Sequence, residues 1–443
     1  MQNIKIKEKL SNVLINLKIE KFQIIALIIW LLVAVNYLFH TPIGHRNHDF
    51  WGHIEYSQII AKEHRIPTPY EKWQAFQPPL YYLICSVIAP ASLLQEDKTI
   101  HIRLVQLMSV FFGLITVWII SWFLQKSNNK FSSFSKFITL LFVVLTPKFV
   151  FIFSTYNNDS LVTFLIIASI ALTYSLYNNW SWEKAFLLFI VSTAAAYTKF
   201  SSLTAILAII IVLCRNLLSL RLPNNNEMKI IITLLVSLVF LCPWLILHNQ
   251  KLTGKLFPNN AENGLGEFLT VNDDRSLDKV FFRIPFFQQD LHEWEDPWAY
   301  GHTHIENKKH DYLGFSFITS IYGETIFETP SIITVWILVW IHLIFYLAGL
   351  KYVFKTNITK LSGMIILMSH FGQAVYIFLS KSPPACTMDF RYIAWSLLGW
   401  SVLYKEAISS SISFLSSILL TRLMLVGIII QIYFLVTCTG NNF

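Results

Sequence analysis

The stretch His48–Tyr82, HDFWGHIEYSQIIAKEHRIPTPYEKWQAFQPPLYY, is the first long polar segment to follow a hydrophobic span, Phe22–Phe39. It holds an acid, several histidines, several aromatic residues and a rigid Gln77-Pro78-Pro79. A helix started by Asp49 would place Asp49, His53 and Tyr56 at i, i+4 and i+7, on one face. A polar face of that kind suits a site better than a core. Aspartate is also a favoured helix N-cap, so Asp49 equally reads as the cap of a helix over residues 50–63. Both readings are open at the level of sequence.

Outward from this stretch, the chain is dominated by apolar runs. Its 443 residues are 54% hydrophobic and 14% charged, with a mean hydropathy of +0.52. A soluble protein carries nearer a quarter charged residues, and the runs are long enough to cross about 30 Å of hydrocarbon. The sequence is that of an all-α polytopic membrane protein with about 11–13 transmembrane helices. Spans are expected near 22–39, 101–125, 137–153, 160–178, 184–198, 201–214, 229–247, 331–350, 361–380, 390–404 and 413–437. The basic N-terminal region, Lys5 to Lys21, precedes a first run too long for a signal peptide and without an A-x-A site, so that run reads as a retained span. Pro79–Leu94, apolar but short and flanked by prolines, reads as re-entrant or interfacial.

The net charge of +8 does not indicate nucleic acid, because the basic residues sit in short loops between spans. Lys126/Lys130/Lys136, Lys184, Arg215/Arg221/Lys229, Lys351/Lys355/Lys360 and Lys405 fall on one side with the N-terminal tail. By the positive-inside rule that side is cytoplasmic. The outer side receives the first loop, the Tyr156–Asp159 turn, Lys199, the 248–330 loop and the 381–391 turn. It also receives every histidine except His342 and His370. Three regions follow: an N-terminal bundle over 1–247 with a first outer loop at 40–100, an outer loop or small subdomain over 248–330, and C-terminal helices over 331–443. A loop of that length is usually functional, and Ser276–Phe287 within it reads as an amphipathic helix.

Several residues have chemical options, each beside a plainer one. Asp49, next to His48 and His53, suits a general base toward a hydroxyl. Gln77-Pro78-Pro79-Leu80-Tyr81-Tyr82 would start a helix at Pro79 and set its tyrosines at the membrane interface. Lys199, between two apolar runs, is either a point charge for a lipid-linked phosphate or a snorkelling side chain. Arg391, in MDFRYIAW, is a second phosphate ligand or an interface anchor. Asn157, Asn158 and Asp159 are a site turn or a helix cap. His292, Glu293, Glu295, Asp296, His302, His304 and His310 are zinc-ligand types without a strict ligand spacing, so a divalent metal is not favoured and no cofactor is expected. Trp294, Trp298 and Tyr300 would stack on a sugar or float the loop on the interface. Of five cysteines, Cys85, Cys214 and Cys242 read as packing, while Cys386 and Cys438 are placed for an outer disulfide.

Asp49-Phe50-Trp51-Gly52-His53 followed by Gln77-Pro78-Pro79-Leu80-Tyr81-Tyr82 resembles the first outer loop of GT-C fold glycosyltransferases that use polyprenyl-phosphate sugars. The likeness is to family 39, which includes protein mannosyltransferases, and to the aminoarabinose transferases. Shorter pieces agree: Asn158-Asp159-Ser160-Leu161, Tyr197-Thr198-Lys199, Pro243-Trp244 with Asn249 and Gly254, Ser320–Gly323 and Arg391-Tyr392. The chain departs from the family in having Phe50 where a Glu is common, with Glu55 on another helical face, and His248 where an Arg is common.

The resemblance implies an integral membrane glycosyltransferase of the bacterial inner (plasma) membrane with its site facing the periplasm. Asp49 would deprotonate an acceptor hydroxyl of a protein, lipid or glycan, which attacks the anomeric carbon with inversion. Lys199 and Arg391 would stabilise the leaving phosphate, and His48, His53, Tyr56, Gln77, Tyr81, Tyr82, Asn158, Asp159 and His248 would shape the substrate site. Two rivals are a flippase for lipid-linked sugars, which would favour midplane charge and broken helices, and an inactive envelope scaffold that retains the fold.

Overall fold

The computed structural model describes residues 21–44, 47, 49–126, 133–214, 223–258, 316–317, 319–321, 329–379, 389–409 and 414–437. Among them every element is helical. The first is α1, Lys21–His40. The first loop then forms α2, Phe50–Glu63, and two short helices, α3, Leu80–Val87, and α4, Pro90–Leu93. The bundle continues with α5, Thr99–Lys126, α6, Ser133–Val144, α7, Pro147–Ser154, α8, Asn158–Asn178, α9, Trp182–Ala196, and α10, Ser201–Leu213. Next come α11, Asn225–Val239, a π-helical turn, Trp244–Gln250, and a single turn, α12, Lys251–Thr253. The last part holds α13, Thr329–Leu350, α14, Asn357–Leu379, a 3₁₀ segment, Phe390–Ser396, α15, Leu397–Ser409, and α16, Phe414–Thr437.

Every apolar window of the sequence carries helix. Among the described residues six stretches are long and apolar enough to cross a membrane: Lys21–His40, Thr99–Lys126, Asn158–Asn178, Asn225–Thr253, Ile333–Leu350 and Ser416–Thr437. The chain is an integral membrane protein. The window at 137–153 is broken: α6 and α7 pass the same test together but meet at 63°. Proline explains the break, because Pro147 offers no N–H and its ring would clash with the carbonyl four residues back, yet it suits the first turn of a new helix. The other four windows hold α9, α10, α14 and α15. With eight residues α3 is about 12 Å long, far short of a bilayer core, and Ala89 turns the chain into α4 through a left-handed backbone at φ 46°.

The helices share one large core. The first span packs on α5, α6 and α7; α5 packs on α8, α8 on α9, and α9 on α11. Farther along, α10 meets α14, both α13 and α14 meet α15, and α16 returns to α6. The 3₁₀ segment touches α7, α8 and α14, which brings residues near 390 against the N-terminal half. Gly113 permits α5 to close on α1, since a Cβ there would lie 2.2 Å from the Trp30 ring.

The first loop is fastened by Tyr156. Its hydroxyl donates to Ser57 Oγ at 3.0 Å and meets His101 Nε2 at 3.1 Å, its ring packs edge-on against Phe50 and Tyr81, and its carbonyl accepts from Asn47 Nδ2 at 2.5 Å. These contacts seat α2 over the start of α8. The loop helix Ser276–Phe287 and the cysteines Cys386 and Cys438 lie outside the described residues.

Candidate active site

Asp49 stands at the N-cap position of α2, but its side chain makes no capping hydrogen bond. The carboxylate is turned elsewhere: Trp73 Nε1 donates to Oδ1 at 2.7 Å, and Arg391 Nη1 donates to Oδ2 at 3.2 Å. The plainer reading of Asp49 as a cap therefore fails on geometry. Gly52, one turn along α2, is what admits Trp73. A Cβ at that position would lie 2.9 Å from Gln74 Cγ and 3.0 Å from Trp73 Cδ1.

Arg391 comes from the 3₁₀ segment, and its backbone N–H donates to Asp389 Oδ1 at 2.5 Å. The second oxygen of Asp389 accepts from Lys148 Nζ on α7 at 2.9 Å. Lys199, just past α9, donates to Asp159 Oδ1 on α8 at 2.6 Å, and both side chains are 5% exposed. Tyr392 ties the two cations together: Lys199 Nζ lies 4.7 Å and Arg391 Cζ 5.2 Å from its ring centroid. A cation over an aromatic face is attracted by the ring's quadrupole. Three acid–base pairs, 159–199 and 389–148 buried and 49–391 partly buried, thus meet at the helix ends around Tyr392.

On the other side of Asp49 lies an aromatic stack. His53 Nδ1 meets the Tyr82 hydroxyl at 3.0 Å, and Tyr56 stacks on Tyr82 with centroids 3.8 Å apart. Asn158 Nδ2 donates to the same hydroxyl at 3.3 Å, and the Tyr56 hydroxyl donates to the Gln77 carbonyl at 3.3 Å. Tyr81 and Tyr82 are fully buried, so the expected place at the membrane interface gives way to one inside the first loop. The side-chain oxygens Gln77 Oε1 and Asn158 Oδ1 are buried without a hydrogen-bond partner among the described residues.

Electrostatics set the two groups on α2 apart. Burial pushes the Asp49 carboxyl up, but the Arg391 guanidinium, His53, the Trp73 N–H and Lys199 together outweigh it and bring it down to about 2. The carboxylate is ionised throughout the physiological range. Burial pushes His53 down to about 4, against the pull of Asp49, so this ring is neutral at pH 7.

The expected set divides as follows. Asp49, His53, Tyr56, Gln77, Tyr82, Asn158, Asp159, Lys199 and Arg391 form one connected neighbourhood, and Tyr81 packs edge-on against Tyr82 and His53. His248 stacks on Trp244 at 4.0 Å and meets Asn249 Oδ1 at 3.3 Å and the Pro67 backbone, contacts that do not reach Asp49. The turn 157–159 is split: Asn157 caps α8 by accepting from Ser160 N at 3.0 Å, whereas Asn158 and Asp159 face the cluster. His48 and the group His292, Glu293, Trp294, Glu295, Asp296, Trp298, Tyr300, His302, His304 and His310 lie outside the described residues. Sequence reasoning missed Trp73, Lys148 and Asp389, and quoted Tyr392 in the Arg391-Tyr392 piece without giving it a role. Lys148 carried a signal, as a lysine inside an apolar window.

No protein-family profile and no curated protein matches the sequence. Solved structures do. The oligosaccharyltransferase of Archaeoglobus fulgidus in the apo form superposes with a TM-score of 0.53 at 11% identity, over 96% of this chain and 57% of that one. The same protein in complex with zinc and sulfate gives 0.56 at 11% identity, over 94% and 54%. The present chain spans little more than half the length of that enzyme. ArnT from Cupriavidus metallidurans bound to undecaprenyl phosphate aligns at 12% identity over 87% of this chain and 77% of that one, with a TM-score of 0.40, too loose to argue from. The first-loop resemblance and the archaeal superposition agree: this integral membrane protein has the GT-C fold.

Proposed function

We propose that the protein is a membrane glycosyltransferase that moves a sugar from a polyprenyl-phosphate donor to an acceptor hydroxyl, with inversion. The observation that carries this reading is the ion pair of Asp49 with Arg391, 342 residues on, with Lys199 set against the same Tyr392 ring as Arg391. The chemistry needs those two kinds of group. Asp49 takes the acceptor proton, worth roughly 10²–10⁴ in rate for a positioned base. The cations stabilise the charge that grows on the departing phosphate. Gln77 Oε1 and Asn158 Oδ1, buried acceptors beside the cluster, suit sugar hydroxyls, which arrive as donors.

In this reading the donor and acceptor meet at the periplasmic face of a bacterial inner membrane. The helix ends opposite the cluster carry Lys126, Lys355 and Lys405, as a cytoplasmic face does. The acceptor is a protein, lipid or glycan hydroxyl. The experiment is transfer of a radiolabelled sugar from polyprenyl-phosphate donors in proteoliposomes, wild type against Asp49→Asn, with insertion checked for both. Transfer by wild type with a loss of 10²-fold or more in the variant is expected; undiminished transfer by Asp49→Asn overturns the base assignment. One feature favours a second reading. The bent α6/α7 pair with Lys148 on it is a broken helix carrying charge, as secondary transporters use, which suits a flippase of lipid-linked sugars, and scrambling of labelled lipid across the same liposomes without sugar transfer would decide for it.

A further inference from the structure

The three ion pairs of the cluster are not equivalent. Lys199 and Asp159 meet at 2.6 Å with 5% of each side chain exposed. Arg391 and Asp49 meet at 3.2 Å, with 10% and 17% exposed, which is long for a charge-assisted bond, ordinarily 2.7–2.9 Å. The root of Arg391 is nonetheless fixed, because Asp389 holds its backbone N–H and is itself held by Lys148. Asp49 has a second anchor in Trp73, on the other oxygen. Here is an arginine with a clamped backbone whose head group rests over the Tyr392 ring and reaches Asp49 through one long bond, facing a carboxylate that Trp73 still holds if that bond is exchanged.

We propose that Arg391 is shared in turn between Asp49 and the donor phosphate: the incoming phosphate draws the guanidinium off Asp49 Oδ2 and so turns that oxygen into the base. The inference rests on the glycosyltransferase reading above. While the guanidinium stays, Asp49 is held at about 2, too weak a base to help a hydroxyl attack, since base strength near the working pH is what general-base catalysis uses. The charges of the reaction fit the exchange. The donor is a phosphodiester with one negative charge. The acceptor O–H bond breaks and its proton goes to Oδ2, while the acceptor oxygen bonds to the anomeric carbon. The bond from that carbon to the phosphate oxygen breaks, and its electron pair stays on the phosphate. Asp49 loses a charge as the phosphate gains one, so a cation that begins on the carboxylate ends on the phosphate and the total charge of the site is constant. Lys199, tightly paired to Asp159, is the fixed member of the two.

The exchange makes Asp49 a competitor of the phosphate for Arg391, and that has a counterintuitive consequence. Binding of a C55 polyprenyl methyl phosphodiester, which has no sugar to transfer, would be measured with the full-length protein in nanodiscs. Asp49→Asn should bind it at least about tenfold tighter than wild type, the worth of one hydrogen bond to a charged group. Asp49→Asn combined with Arg391→Met should lose that gain. Asp49→Ala removes the same competing charge and serves as the second variant should Asp49→Asn fail to fold. Equal or weaker binding by both single variants, with wild type binding, overturns the sharing and leaves the glycosyltransferase reading standing. No binding by wild type or variants overturns both.

Discussion

Gly52→Ala tests the geometry around Asp49 with a single methyl group. The new Cβ would sit 2.9 Å from Gln74 Cγ, 3.0 Å from Trp73 Cδ1 and 3.1 Å from Trp73 Cβ, closer than side chains tolerate, so Trp73 must retreat. Its Nε1 now lies 2.7 Å from Asp49 Oδ1, and a retreat of a few tenths of an ångström weakens that bond. A hydrogen bond to a charged group contributes about 1.5–3 kcal/mol, which corresponds to a drop in kcat/KM of roughly 10- to 150-fold. Stability should change less: alanine gains about 1 kcal/mol over glycine in a helix, against an overpacking cost of about 1–3 kcal/mol. The assay is sugar transfer in proteoliposomes across pH, alongside the melting temperature. Trp73 N–H helps hold the Asp49 carboxyl down, so its loss should move the acid limb of the rate profile to higher pH, a change that crowding alone does not cause. Trp73→Phe, which removes the N–H without the methyl, should show the same movement. A folded Gly52→Ala protein that transfers within threefold of wild type, with an unmoved acid limb, would refute a positioning role for Trp73.

Two further outcomes concern stability. Lys199→Met strands Asp159 in a buried setting, so it should cost about 3–5 kcal/mol, read by thermal unfolding, and Lys199→Met with Asp159→Asn should recover most of that loss without recovering transfer. His53, held neutral by burial at about 4 against an unfolded value near 6.5, gives stability that is full above about pH 6.5 and declines as pH falls toward 4, on the order of 3 kcal/mol in all. Asp49, depressed to about 2, adds a second loss as pH falls from about 4 through 2. In melting temperatures across pH, His53→Asn should flatten the first decline and make the second smaller, because His53 is one of the groups that hold the Asp49 carboxyl down.

How far the sequence could be read depended on the range of the interactions. The spans were legible because hydropathy is local: every apolar window carries helix, though the bend at Pro147, the π-helical turn from Trp244 and the 3₁₀ segment from Phe390 were passed over inside their windows. The face of Asp49, His53 and Tyr56 was legible for the same reason, since i, i+4 and i+7 belong to one helix. What Asp49 does at its cap position was not legible, because the choice is made by Trp73 and Arg391, 24 and 342 residues away. Tyr82 shows the limit of composition. Tyrosine after a hydrophobic span usually marks an interface, but here His53 and Asn158 satisfy its hydroxyl and bury it. Asp389 stood in the motif that singled out Arg391, and its partner Lys148 stood inside a span, yet nothing in sequence joins positions 241 apart.

That separation bears on how the protein is made. Lys148 and Asp49 both belong to the early part of the chain, while their counter-charges, Asp389 and Arg391, are translated some 240 to 340 residues later. A nascent bundle closed without them would strand two ions at several kcal/mol each. Both groups must therefore stay hydrated until the segment around residue 390 inserts, and the charge cluster is completed only when that segment meets helices made more than 200 residues earlier.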